Sequence, residues 1–418
     1  MSSKGIRRSP GRRSVIFFLS LAAGSALPVH SQNVLTGPGG GSPTILGTDL
    51  AVFELREPRK DLPCTVSEIK PLLGFDLRFH SGYEITVPMR ELAGSENSLN
   101  ILFRVRPEGK DEAVYFTHRF RVPALPEDAK GDAYLQGAFD LGEGKYQVDW
   151  LMRDRSERVC SSFWETEAVL APKDKQLALE LKAGDIVASQ QEQFTDEPPI
   201  ERAPQGAPLN VKVLIHFAPQ NPNSNALQPV DTGALVSILR VIARDSRVTR
   251  FSLIAFNLQQ ERVLYRQEAS DHIDFPALGD ALKGLQLGLV DYSRLSDKNR
   301  ETDFLSNLLR EEFATQTRPD ALIFAGPKVM LAENVPVEHL RAVGEPDYPV
   351  FYMNYNLYPQ VTPWRDAISH AVKFFKGQEY TISRPRDLWF AVTDMMSKIV
   401  KLKTGKSGTA TAAFQQQK

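Results

Sequence analysis

The feature that most constrains this chain is a change of hydrophobic period near residue 210. Upstream, apolar residues recur at every second position. Downstream, near-continuous apolar runs of strand length alternate with runs spaced three and four apart. A period of two belongs to a strand with one face in a core and the other in water. Continuous apolar strands separated by helices are buried on both faces, as in a parallel sheet covered on either side. A multidomain chain is expected, with an N-terminal all-β antiparallel sandwich and a C-terminal doubly wound α/β domain. At 418 residues there is enough chain for each to build its own core.

Residues 59–172 carry the first pattern. Leu99, Ile101, Phe103 and Val105 recur at every second position, and Tyr146, Val148, Trp150 and Met152 do the same after Gly142-Glu143-Gly144, with Gln147, Asp149 and Arg153 opposite. Asp154-Arg155-Ser156-Glu157 reads as a turn, and Val159 to Val169 returns as the hairpin partner. Short strands divided by turns point to a sandwich of immunoglobulin type. The spacing from Trp150 to the cysteines is not that of an antibody domain, so architecture alone is inferred. Residues 173–209 are polar and end in Pro198-Pro199, Pro204 and Pro208, the composition of an interdomain linker.

The N-terminus indicates a compartment. Lys4, Arg7, Arg8, Arg12 and Arg13 precede an apolar stretch from Val15 to about Ala26, and Val29-His30-Ser31 offers small residues before a cut. Residues 1–31 are therefore expected to be an export signal, and the mature protein to be periplasmic or secreted. No apolar run reaches the roughly 18–20 residues that span a bilayer, so no transmembrane segment is expected in the mature chain. Residues 32–58, centred on Gly37-Pro38-Gly39-Gly40-Gly41, read as a flexible leader. No Gly-Lys-Ser/Thr follows those glycines, which excludes a phosphate cradle. The tail 403–418 is polar and expected to be disordered. Cys64 and Cys160 can pair in an oxidising compartment, closing a loop worth about 4–5 kcal/mol in the chain-entropy account; two separate buried thiols are the alternative. With 50 basic and 51 acidic side chains, bulk charge does not attract nucleic acid.

Residues 210–402 hold the α/β pattern. Val211 to Phe217, Arg250 to Phe256, Asp320 to Gly326 and Pro349 to Asn354 read as buried strands. Leu235, Ile238, Leu239 and Ile242 mark the first helix, and Leu388, Val392, Met395 and Ile399 the last. This order resembles a von Willebrand factor type A domain. In that family an Asp-x-Ser-x-Ser loop, a threonine and a further aspartate hold Mg²⁺ at the strand ends, and the ion takes a partner's carboxylate. Here the first loop reads His216-Phe217-Ala218-Pro219-Gln220-Asn221, and the later strand ends Phe324-Ala325-Gly326. Thr302-Asp303 alone resembles the family's pattern. One hydroxyl cannot hold Mg²⁺ without the carboxylates. The resemblance thus implies the fold and partner binding, with no metal and no cofactor.

Other chemistry is sparse. His216 ends a strand where α/β folds bind ligands. Asp271-His272-x-Asp274, near Glu268, reads as a solvated loop. No Gly-x-Ser-x-Gly or His-Glu-x-x-His is present, and the chain is not expected to be an enzyme. The aromatic run after the fourth strand supplies Tyr355, Tyr358 and Trp364, residue types that favour recognition surfaces. The expected function is metal-independent binding of a protein or cell-envelope surface, with Tyr355, Tyr358 and Trp364 as anchors and His216 and Thr302 beside them. The alternatives are a hydrolase or other enzyme with its site between domains, and a structural envelope component.

Overall fold

A computed structural model describes residues 33–35, 45–189, 193–202, 208–221, 224, 226–285, 287, 299–314, 317–331, 333–357 and 366–415, with side chains from 45 to 405. All of these lie in one compact unit, Gln32–Lys418. It is β-rich, with three sheets and seven α-helices among the described residues. None of those helices is long and apolar enough to cross a membrane.

Alternation in the first half produces two antiparallel sheets. One has the order β1 (Asn33–Leu35), β5 (Val114–Val122), β4 (Asn97–Pro107), β7 (Gly144–Arg153), β8 (Val159–Ala168). The other runs β2 (Thr65–Leu73), β3 (Phe79–Pro88), β6 (Asp132–Leu141), β9 (Ile186–Ala188). Their inward positions share one core: Tyr83, Ile85 and Val87 from β3 meet Leu99, Ile101, Phe103 and Val105 from β4 and Tyr146, Val148 and Trp150 from β7. Phe103 stacks on Phe116 at 4.8 Å and meets Tyr83 edge-on at 5.3 Å. Cys64, just before β2, is disulfide-bonded to Cys160 in β8, so the bridge ties an edge strand of one sheet to an edge strand of the other.

Three segments differ from the sequence expectation. Within the supposed flexible leader, α1 (Gly47–Leu55) lies on the outer face of the five-stranded sheet. Its Val52 and Phe53 are buried against Leu102, Leu151 and Val159. Arg104 donates to Asp149 at 2.6 Å and to Glu54 at 3.0 Å, and Arg153 pairs with Asp49. A nine-residue helix is marginal alone; these contacts hold it. The supposed linker supplies β9 to the second sheet, and its Phe194 packs on the α/β core. At the C-terminus the last helix, α7 (Pro385–Gln415), runs on through most of the supposed disordered tail.

The second half has one six-stranded sheet, in the order β12 (Arg262–Ser270), β11 (Val248–Asn257), β10 (Leu209–His216), β13 (Ala321–Pro327), β14 (Val350–Tyr355), β15 (Gln378–Ile382). Only β12 is antiparallel to its neighbour. The edge strand β15 has no counterpart in the sequence reading. Val211, Val213 and Ile215 face α2 (Pro229–Ala243), α3 (Phe275–Leu282) and α7. Leu214, Leu322 and Tyr352 face α4 (Arg300–Phe313), α5 (Val337–Val343) and α6 (Ala367–Phe374). Helices therefore cover both faces, which is why the strands are apolar throughout.

Candidate functional site

The carboxyl ends of β10, β13 and β14 meet the start of α2, the crevice where open α/β sheets bind ligands. Pro229 opens α2, and Asp231 completes its cap by accepting from Gln228 N at 3.1 Å. The same carboxylate accepts from Gln220 N at 3.3 Å and from the Tyr355 hydroxyl at 2.5 Å. Gln220 then bridges to the loop after β14, donating to Asn356 Oδ1 at 2.8 Å and accepting from Leu357 N at 2.9 Å. Donors inside the protein thus engage both oxygens of Asp231.

The sequence candidates do not form one surface here. Tyr355 is buried and serves as a strut from β14 to α2, so it offers no contact area to a partner. Burial follows from its position at the last residue of a strand covered on both faces. His216 is buried too. Its Nε2 accepts from Leu258 N at 3.1 Å, its ring stacks on Phe256 at 5.2 Å, and burial pushes its pKa down to about 3. Such a histidine stays neutral and covers a strand end. Gly326 lies against it, where a β-carbon would overlap that of His216. Thr302 is buried in the first turn of α4 and donates to Glu333 O at 3.0 Å. Tyr358 and Trp364 lie outside the described residues. Among the described residues, large apolar side chains exposed beside these strand ends include Val230, at the start of α2, and Met330, after β13, which are 51% and 67% exposed.

A second constellation, invisible in the sequence, sits where the sandwich meets α2. The turn from Gly74 to Arg78 joins β2 to β3 and presses Phe75 onto the α/β core. In β3, His80 stands opposite Asp140 of β6. Its Nδ1 is 2.8 Å from Asp140 Oδ1, and its Nε2 is 3.0 Å from Asp76 Oδ1 in the turn. Burial opposes a charge on His80, but the hydrogen bonds to Asp140 and Asp76 outweigh it and lift its pKa to about 10. With a carboxylate on each ring nitrogen, His80 is poorly placed to move a substrate's proton. Arg78 stands 3.8 Å from Asp140. Beside the turn opens a cleft of about 210 Å³. On its far wall Glu197 pairs with Arg240 and Arg244 at 2.6 and 2.7 Å, and Arg244 reaches Glu180 at 3.2 Å. The outward-facing positions of two alternating strands were the only sequence signal for His80 and Asp140.

No family model and no curated protein matches the chain. Solved structures match only distantly. A single-residue mutant of the PilB minor pilin from Streptococcus sanguinis is 8% identical, with a TM-score of 0.27 over 72% of this chain and 88% of that one. A β-glucuronidase from Bacteroides uniformis is 10% identical, with a TM-score of 0.19 over 70% of this chain and 33% of that one. A GH3 β-glucosidase from Bifidobacterium adolescentis is 10% identical, with a TM-score of 0.16 over 26% of this chain and 18% of that one. The chain thus spans a third or less of these glycosidases. Likenesses this low carry no argument about fold or activity.

Proposed function

We propose that this is an exported, non-catalytic interaction protein: an immunoglobulin-type sandwich fixed to a degenerate von Willebrand type A-like domain. It binds a protein or envelope partner through the strand-end loops without a divalent ion there. One observation carries the reading. The first carboxylate after β10, Asp231, is taken up by Gln228 N, Gln220 N and the Tyr355 hydroxyl, so it has become part of the scaffold. The same end exposes Val230 and Met330, which replace Tyr355 as anchors. The Cys64–Cys160 bridge and the basic, then apolar, N-terminus support export.

The test is capture of partners from envelope extract by the wild type and by a Val230→Asp, Met330→Asp double variant, each with and without EDTA. Charges at desolvated anchors should cut capture by about tenfold or more, and EDTA should change nothing. Full capture by the double variant would remove the strand-end assignment. Loss on adding EDTA would contradict metal-independent binding.

A further inference from the structure

We propose that His80 and Asp76 form a binding site for a divalent transition metal of the zinc or nickel type, with Asp140 as the residue that positions the imidazole. Asp140 is buried and stands opposite His80 on the β3–β6 ladder. Its Oδ1 lies 2.8 Å from Nδ1, which places a proton on Nδ1 and leaves Nε2 as the ligand atom. A carboxylate behind a metal-binding histidine is the usual means of setting tautomer and ring angle. Nε2 is 3.0 Å from Asp76 Oδ1. Two ligands with bonds of about 2.0–2.2 Å stand about 3 Å apart at neighbouring octahedral positions and about 3.4 Å apart at tetrahedral ones, so a small adjustment of the Asp76 side chain suits either. The ion would replace the proton that this pair shares.

The backbone favours the same edge. Gly74 N donates to Arg78 O at 2.8 Å, and Leu77 takes a φ of 60°, so the turn folds Asp76 back toward β3. A β-carbon on Gly74 would overlap both Nε2 and Asp76 Oδ1, so only glycine lets the turn pack this closely against the pair. The Asp76 and His80 side chains are 31% and 42% exposed against 1% for Asp140, which leaves coordination positions for water. Charge agrees. With Asp196, this corner holds five carboxylates against three guanidinium groups, an excess of two once the His80 proton is displaced, which a divalent ion cancels. A mixed nitrogen and oxygen set suits zinc or nickel, whereas calcium prefers a full shell of oxygens. An ion here would pin the turn that holds Phe75 against the α/β core, stiffening the junction. This role is separate from the strand-end surface.

Isothermal titration of the full chain with ZnCl2, and separately with CaCl2, tests the site. Zinc should bind with about one equivalent and raise the melting temperature, and calcium should do neither. Asp76→Asn and His80→Gln should each weaken zinc binding by about tenfold or more and remove the thermal shift. His272→Gln, at the exposed His272–Asp271 pair, should leave both intact. Should His80→Gln fail to fold, Asp76→Asn decides alone. Absence of zinc binding, or binding that survives Asp76→Asn, overturns the assignment.

Discussion

Replacing Asp366 by Asn should stabilise this protein above pH 6. Asp366 caps α6, its Oδ1 accepting from Ile368 N and Val329 N, each at 3.2 Å. Its Oδ2 is buried, with the Tyr352 hydroxyl as its polar neighbour. The neighbouring Tyr352 hydroxyl already donates to Pro327 O at 3.1 Å, and Glu379 adds a like charge. Burial is the largest cause and, with Glu379, lifts the carboxyl from 3.8 to about 6 against the backbone donors and the Tyr352 hydroxyl. A rise of about two pH units is worth about 3 kcal/mol as an upper figure. Between roughly pH 4 and 6 the folded chain keeps a proton that the unfolded chain releases. Stability therefore falls as pH rises through this window and stays lower above it. Asn keeps the capping oxygen, cannot ionise, and brings an N–H that can donate to the Tyr352 oxygen. Urea unfolding at pH 8 should show Asp366→Asn more stable by about 2 kcal/mol, with the gain shrinking toward zero near pH 4. A variant no more stable than wild type at pH 8, or a gain independent of pH, would refute the argument.

Two further outcomes follow from buried groups. His216 has a folded pKa of about 3, below its unfolded value, so the unfolded chain binds the extra proton and stability falls as pH drops below about 6.5. In His216→Gln, acid unfolding followed by circular dichroism should show a shallower loss across that window. Phe53→Ala removes the side chain that seats α1 beneath Arg104, at a cost of about 3–5 kcal/mol. Because α1 is a single short helix, the loss should appear first as local release, read as faster proteolysis within residues 47–55 while the Trp150 core keeps its fluorescence.

The readable parts of the fold are those whose burial is set by neighbours in the chain. Leu99, Ile101, Phe103 and Val105 all face the sandwich core, and Leu235, Ile238, Leu239 and Ile242 are all buried in α2. In each case the apolar period equals the period of the backbone, so one window of sequence holds the information. Elements stabilised by contacts from afar were missed. α1 is held by Arg104 and Arg153, roughly fifty and a hundred residues away. β15 is short, and its place is set by pairing with β14. For Tyr355 the sequence offered aromaticity and position but not exposure, which depends on the helix that folds over it.

From its own residues the chain determined where one-faced strands give way to two-faced ones, that Cys64 and Cys160 were available to each other, and that no acidic residue stands between His216 and Asp231. These are matters of composition and local period. Tertiary structure alone decided that Asp231 is occupied, that His216 is sealed in, and that Asp76, His80 and Asp140 converge. Register between strands is what joins residues sixty positions apart, and no local pattern encodes it.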